Sequence, residues 1–305
     1  MSRYIVKRLL YLIPMLFCVV LMVFLIMSLT PGDPATNVLP LTTPQEVKDA
    51  FNESVGYTGS LWDRFWNYLG GLFSGNVVSY STGENIFEEL KTRFPMTLSF
   101  GTWAFCISAI IGVALGILSA IKQYSFLDTT VTIFAVLFAS IPSFFVAVLL
   151  ILYFSVHLGA LPSFGVGTLR HYILPVSTLV LANIPMLSRM TRSALLDAMS
   201  QDYIRTARAK GLAERVVLYQ HALKNAMSPV ITHIGTNMAS LMGGACVIET
   251  VFGINGMGKL AYDSLIRRDY TQVQAIILVV ALVYIVINLV VDILYKVFDP
   301  RVELS

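Results

Sequence analysis

The 305-residue chain is 56% hydrophobic and only 13% charged, with a mean hydropathy of +0.73; soluble domains carry about 25% charge, so a water-soluble enzyme or binding module is excluded. A net charge of +3 is too small to imply a nucleic-acid partner. Cys18, Cys106 and Cys246 each sit in an apolar run without C-x-x-C spacing, which argues against a disulfide framework or a zinc site.

A bilayer-crossing helix needs roughly 20 apolar residues, and six stretches qualify: 9–29, 97–121, 129–156, 172–190, 230–252 and 274–297. The first opens with Arg3, Lys7 and Arg8, as a signal peptide does. Its apolar run exceeds the usual length and no A-x-A site follows, so it is expected to stay as an anchor. Most Lys and Arg fall on the side of the two termini, led by Arg189, Arg192, Arg205, Arg208, Lys210, Arg215 and Lys224 between the fourth and fifth crossings. Cytoplasmic loops carry the excess of positive charge, so both termini are predicted to be cytoplasmic.

After the first crossing, "TPGDPA" ends the helix, and "LWDRFWNYL" places Trp62, Phe65, Trp66 and Tyr68 at helical spacing. Residues 30–96 are therefore expected to form a packed external subdomain rather than a tether. Prolines 14, 142, 175 and 185 fall inside crossings, where each removes a backbone donor and bends the helix. Ionisable side chains are almost absent from mid-membrane positions. Asn288, Asp292 and Lys296 follow at helical spacing near an inner face, and His233 reads as a hydrogen-bonded residue near the inner end of the fifth crossing. An ion-driven carrier holds its driving ion at mid-depth, so the energy source is expected elsewhere. No H-E-x-x-H or G-x-S-x-G motif supports an intramembrane hydrolase.

The segment 189–229 contains "DYIRTARAKGL". Asp202 suits a helix start and Gly211 a left-handed stop, giving about two turns on which Tyr203, Thr206, Ala207 and Lys210 share a face. A second helix is expected with Val216, Tyr219, Leu223 and Met227 as its apolar stripe, ending where Ser228-Pro229 caps the next crossing. A lipid tether needs charge but no such punctuation, so this rod is read as a docking element. Further on, "GINGMGKL" (253–260) comes close to a P-loop but has Leu260 where Ser or Thr belongs; it lies on the outer side and follows no strand, so it is not read as a nucleotide site.

At the cytoplasmic segment the chain resembles the permease subunits of ATP-binding-cassette importers, specifically the dipeptide/oligopeptide/nickel branch. Ala207 and Gly211 match the E-A-A-x-x-x-G motif, with Arg205 and Thr206 in place of the first Glu and Ala, as "DYIRTARAKGL" and "HALKNA" do in that branch. The likeness extends through "RLLYLIPMLF", "TRFPMTLSF", "IPSFF", "HYILP", "VIETVFGINGMGKLAYDSLIRRDY" and "NLVVDILYKVFDPR", with Asn255-Gly256 replacing the usual Pro-Gly. The resemblance implies an all-α membrane protein of the type I importer class, with six transmembrane helices and a cytoplasmic coupling helix. Residues 1–96 would form the first helix and an extracytoplasmic subdomain, and 97–305 a five-helix core. It implies a non-catalytic subunit without its own cofactor, set in the inner membrane of a bacterium or archaeon. Its partners would be a homologous second permease, two ATPase subunits that bind ATP and Mg, an extracytoplasmic solute-binding protein and the lipid bilayer. The coupling residues would be Asp202, Tyr203, Thr206, Ala207, Arg208, Lys210 and Gly211. An external re-entrant segment would use Glu249, Gly253, Gly256, Gly258, Arg268 and Asp269, its glycines supplying turns and close backbone approach.

Overall fold

The computed structural model describes residues 2–298, except the side chains of 2–9, 236–244 and 291–298. The expected Asp292–Lys296 pair and the basic start at Arg3, Lys7 and Arg8 lie outside those described side chains. In chain order the helices are α1 (Ser2–Ser28), α2 (Pro34–Val38), α3 (Gln45–Ser54), α4 (Leu61–Ser74), α5 (Ile86–Ile121), α6 (Phe126–Ser140) and α7 (Ser143–Leu150, continued by π-helical turns over Ile151–His157). Then come α8 (Leu169–Met199), α9 (Asp202–Ala209), α10 (Glu214–Val216, continued by π-helical turns over Val217–Leu223), α11 (Lys224–Phe252), α12 (Met257–Ile266) and α13 (Tyr270–Phe298). Among the described residues the extended pairing is one isolated antiparallel bridge, Val78 with Asn85.

Contacts divide the described residues into two units: 2–97 with Asn255–Val286, and Leu98–Ile254 with 287–298. In the first unit, α1 stops because Pro31 cannot extend it and Gly32 takes a φ of +114°, open in practice to glycine alone. Asp33 then starts α2 with a capping box: its Oδ1 accepts from the Thr36 amide at 2.6 Å, and Thr36 Oγ1 accepts from the Asp33 amide at 3.0 Å. The Ala35 amide donates to Asn52 Oδ1 at 3.0 Å, which holds α2 against α3. Ser60 and Asp63 make a second box at the head of α4, which ends on left-handed Gly75. Phe65 of α4 is fully buried, edge-on to Phe24 at 5.2 Å and to Phe17 at 5.9 Å, and packs with Val20 on α1. Burying one such ring contributes about 2 kcal/mol toward docking α4 on α1. A second seam of Val77, Ile86, Leu90, Met257, Leu260, Ala275 and Ile276 joins the start of α5 to α12 and α13.

In the second unit, α5 crosses α8 at Gly112 and Gly116. A Cβ on Gly116 would lie 2.6 Å from both Ser188 O and Thr191 Cβ, and one on Gly112 2.7 Å from Leu187 Cβ. The four-residue spacing of these glycines lets two backbones approach as side chains would forbid.

Four described helices are long and apolar enough to cross a membrane: Leu10–Ser28, Ile86–Ile121, Leu169–Met199 and Tyr270–Val290. Two are longer than the expected crossings. The 36-residue α5 starts at Ile86 rather than Thr97 and spans about 54 Å. The expected crossing at 129–156 is not one rod: α6 and α7 bend by 101° across Ile141-Pro142. Pro142 lacks an amide donor and pushes Ile141 into extended geometry (φ −93°, ψ 125°), which ends α6. The expected crossing at 230–252 lies on α11, partly outside the described side chains. Nor does Ser228-Pro229 begin a new helix, because α10, the π turns and α11 follow one another without a break and Pro229 sits inside α11.

Candidate functional site

The segment after α8 is almost wholly helical. Gln201, in extended conformation, precedes α9, so Asp202 is the first helical residue rather than the cap; its carboxylate lies 3.5 Å from Arg205 Nη1. At the other end the Gly211 amide donates to Arg208 O at 2.9 Å and the Leu212 amide to Ala207 O at 3.4 Å. This pair of reversed bonds is the Schellman stop, with Gly211 at φ +76° as its left-handed residue. A Cβ on Gly211 would meet nothing within 4 Å, so its backbone angle, not space, calls for glycine.

Ile204 and Ala207 are the buried residues of α9, at 0% and 6% exposure, packed in a cluster with Leu195, Ala198, Val217, Ala222, Ala226 and Val230. Tyr203, Thr206 and Lys210 face outward. The expected shared face is therefore split: Ala207 lies at its edge, and its small side chain turns inward beside Ile204. Of the stripe expected on the next helix, Leu223 and Met227 pack partly buried against this cluster, whereas its fully buried positions are others. Val217 and Ala222 are five residues apart, matching the π pitch, and Tyr219 is exposed. Arg208 closes the turn between α9 and α10 with Nη2 to Glu214 Oε1 at 2.6 Å and Nε to Oε2 at 3.1 Å. These bonds hold the Glu214 carboxyl below its ordinary range and raise Arg208 above its own.

One set of partners was missed in the sequence reading. Asp128, in the first turn of α6, is buried and accepts from Arg192 of α8 at 2.7 and 2.9 Å, from the Ser119 hydroxyl, and from the Tyr124 amide at 2.9 Å. Arg192 had been assigned only as a cytoplasmic cation; the G-x-x-x-G at 112–116 was the local signal that α5 and α8 meet.

The second group of expected residues falls into separate places. Glu249 is fully buried near the end of α11, which stops on Gly253 at φ +63° with the Ile254 amide donating to Glu249 O at 2.8 Å. The Gly165 amide donates to Phe252 O at 2.9 Å. Gly256 and Gly258 do not take left-handed angles: Gly256 is extended (φ −102°, ψ −173°) ahead of α12, and Gly258 lies buried in its first turn. Lys259 Nζ donates to Asn255 Oδ1 at 3.3 Å, and the P-loop-like octapeptide follows a helix, not a strand. At the corner between α12 and α13, Arg268 takes the left-handed angle (φ +55°) usually left to glycine, while Asp269 is fully buried. Asp269 Oδ1 accepts from the Gln272 amide at 3.1 Å, capping α13; Oδ2 accepts from Ser79 Oγ at 2.5 Å and from the Ser81 amide and hydroxyl at 3.0 Å each.

With these arrangements in place, comparison with known proteins is decisive. The family described as binding-protein-dependent transport system inner membrane component matches residues 112–304, and its N-terminal companion matches residues 1–101. The chain belongs to this family. The permease is 39% identical over 304 residues, 99% of each chain, to proteins named glutathione transport system permease protein GsiC in Escherichia coli strain K12 and in Shigella dysenteriae serotype 1. Among solved structures it is similar to an inward-facing form of the MetNI methionine ABC transporter, with a TM-score of 0.59 and 19% identity over 70% of this permease and 98% of that chain. An amino acid ABC transporter crystallised with histidines gives a TM-score of 0.54 and 15% identity, covering 71% and 95%. These two likenesses concern the fold. The permease is thus the membrane subunit of an ABC importer, all-helical in its described residues.

Proposed function

We propose that this permease crosses the membrane six times with both termini in the cytoplasm, and that α9 is the element through which separate ATPase subunits drive it. Asp202, Tyr203, Thr206, Ala207, Arg208, Lys210 and Gly211 build that element, with Tyr203, Thr206 and Lys210 as its presented face. The observation that carries the reading is the way α9 is fixed. A buried Ile204, a Schellman stop at Gly211 and the Arg208–Glu214 fork tie it to α8 and α10, so a push on its outer face moves all three together. Closure of an ATPase pair around ATP and Mg would displace α9 as a lever and switch the pathway between outward-open and inward-open states. The chain itself is non-catalytic and holds no cofactor. It pairs with a homologous permease, and an extracytoplasmic binding protein delivers the solute near the segment containing Glu249, Gly253, Gly256, Gly258, Arg268 and Asp269.

The substrate class that fits best is small peptides. The 39% relatives named for glutathione, itself a tripeptide, favour glutathione as a specific member of that class. Uptake of a labelled dipeptide into cells carrying the complete importer, competed by glutathione, tests both: competition by either compound supports the class, and uptake indifferent to peptides overturns it. Gly211→Pro and Lys210→Glu are expected to leave the protein in the membrane while abolishing ATP-dependent uptake. Normal transport by both variants would refute docking through α9. Uptake by this chain alone under an imposed ion gradient would instead favour a self-sufficient carrier.

A further inference from the structure

The first unit contains a cavity of about 390 Å³ among α1, α4, the turn before α5 and α13. That volume lies in the range of small-molecule sites. Arg64 lines it, and no Asp or Glu does. The guanidinium lies over the Tyr57 ring at 4.3 Å from its centroid, an arrangement that occupies the flat face of the cation and leaves its in-plane N–H groups for another partner. Its Nε is buried without a hydrogen-bond partner. Tyr68 is also a lining residue; its Oη is buried and unpartnered, and burial raises that phenol well above its ordinary range, so it stays a donor at every physiological pH. Two donors that folding has stripped of partners, one of them cationic, share a cavity without a carboxylate. Asn76 and Gln274 add neutral polar groups to the wall, while Phe24 and Met27 supply an apolar side.

We propose that this cavity is a binding site for an oxyanion with an apolar substituent, either the carboxylate of a small solute or the phosphodiester of a lipid. Arg64 and Tyr68 take the charged oxygen atoms, and Phe24 and Met27 face the apolar part. A carboxylate or phosphate offers acceptors in the plane of a guanidinium, which a neutral ligand lacks. Because the cavity is formed within one unit, the proposal is independent of where α9 docks.

The test uses the purified importer complex in an uncharged detergent, with tyrosine and tryptophan fluorescence as readout. The probes are N-acetyl-leucine and dihexanoylphosphatidylglycerol; the neutral controls are N-acetyl-leucinamide and dihexanoylglycerol. At least one charged probe is expected to give a saturable change that its neutral control does not. Arg64→Gln should weaken it tenfold or more, and the shape-preserving Tyr68→Phe threefold or more. A response to N-acetyl-leucine alone identifies a solute site, a response to the phospholipid alone a lipid site, and a response to both a site that reads the oxyanion itself. No saturable response, equal affinity for the neutral controls, or wild-type affinity in Tyr68→Phe would overturn the proposal. The last criterion stands even if Arg64→Gln fails to fold.

Discussion

Arg192 closes a two-bond fork on Asp128, Nε to Oδ1 at 2.7 Å and Nη2 to Oδ2 at 2.9 Å, between residues 64 positions apart. It ties the first turn of α6 to the C-terminal part of α8, ahead of α9. Asp128→Asn removes the charge and leaves the guanidinium uncompensated, at a cost of about 2 kcal/mol. The Arg192 side chain is 28% exposed, which keeps the cost below that of a fully buried pair. Thermal unfolding of Asp128→Asn, Arg192→Gln and the double variant checks this: the double variant should lose clearly less than the two single losses combined.

Gly116→Ala places a methyl group 2.6 Å from the Ser188 carbonyl oxygen, a backbone atom that cannot swing aside. The expected loss is about 1–3 kcal/mol, read as a lower unfolding midpoint in detergent. Gly101→Ala on the same helix meets nothing within 4 Å and serves as the control, with a neutral or slightly raised midpoint.

Substitutions at Gly211 should rank by their tolerance of a left-handed backbone. Asn is expected to retain most uptake, Ala to lose about 1 kcal/mol of local stability, and Pro, whose φ is held near −65°, to break the stop. Limited proteolysis across residues 208–214 alongside uptake would reveal the order; a Pro variant as resistant as wild type would contradict it.

The Arg208–Glu214 fork sets a pH dependence for the same turn. Because the folded carboxyl is held below the ordinary range of a free glutamate, the stabilisation is present above that range and fades as pH falls through the lowered folded value. Both side chains are substantially exposed, so the effect stays under about 1 kcal/mol and weakens with salt. Protection factors at 208–214, taken relative to the intrinsic exchange rate at each pH, should be higher at pH 7 than near pH 4, and should change little between the two in Glu214→Gln.

Asp269 gathers Ser79, Ser81 and the first turn of α13 on one buried carboxylate. Asp269→Ala leaves those donors without their acceptor and should cost about 2 kcal/mol. The turn 79–83 is expected to become the first site of protease cutting.

Local chemistry made some of this structure legible in advance. Gly211 announced its stop, and the aromatics of "LWDRFWNYL" foretold a packed helix. What depended on distant partners did not show. Nothing near Asp128 names Arg192, and nothing near Asp269 names Ser79. The early start of α5 was hidden because Glu88, Glu89, Lys91 and Arg93 lower hydropathy without opposing a helix. Pro142 was read as a bend in one crossing, whereas the 101° turn comes from Ile141 leaving helical geometry altogether. The stripe after α10 is legible in part: Leu223 and Met227 pack against the core, but Tyr219 is exposed because the backbone there winds more widely than a period of 3.6.

Over Val217–Leu223 the wider winding holds one residue more than ordinary helical pitch would. Removing a single residue there, Gln220 for example, would let the coil tighten to ordinary pitch while α11 keeps nearly its present facing, so Ala226 and Val230 would stay in the shared core. The seven residues act as slack, taking up an extra position without turning the helix that follows.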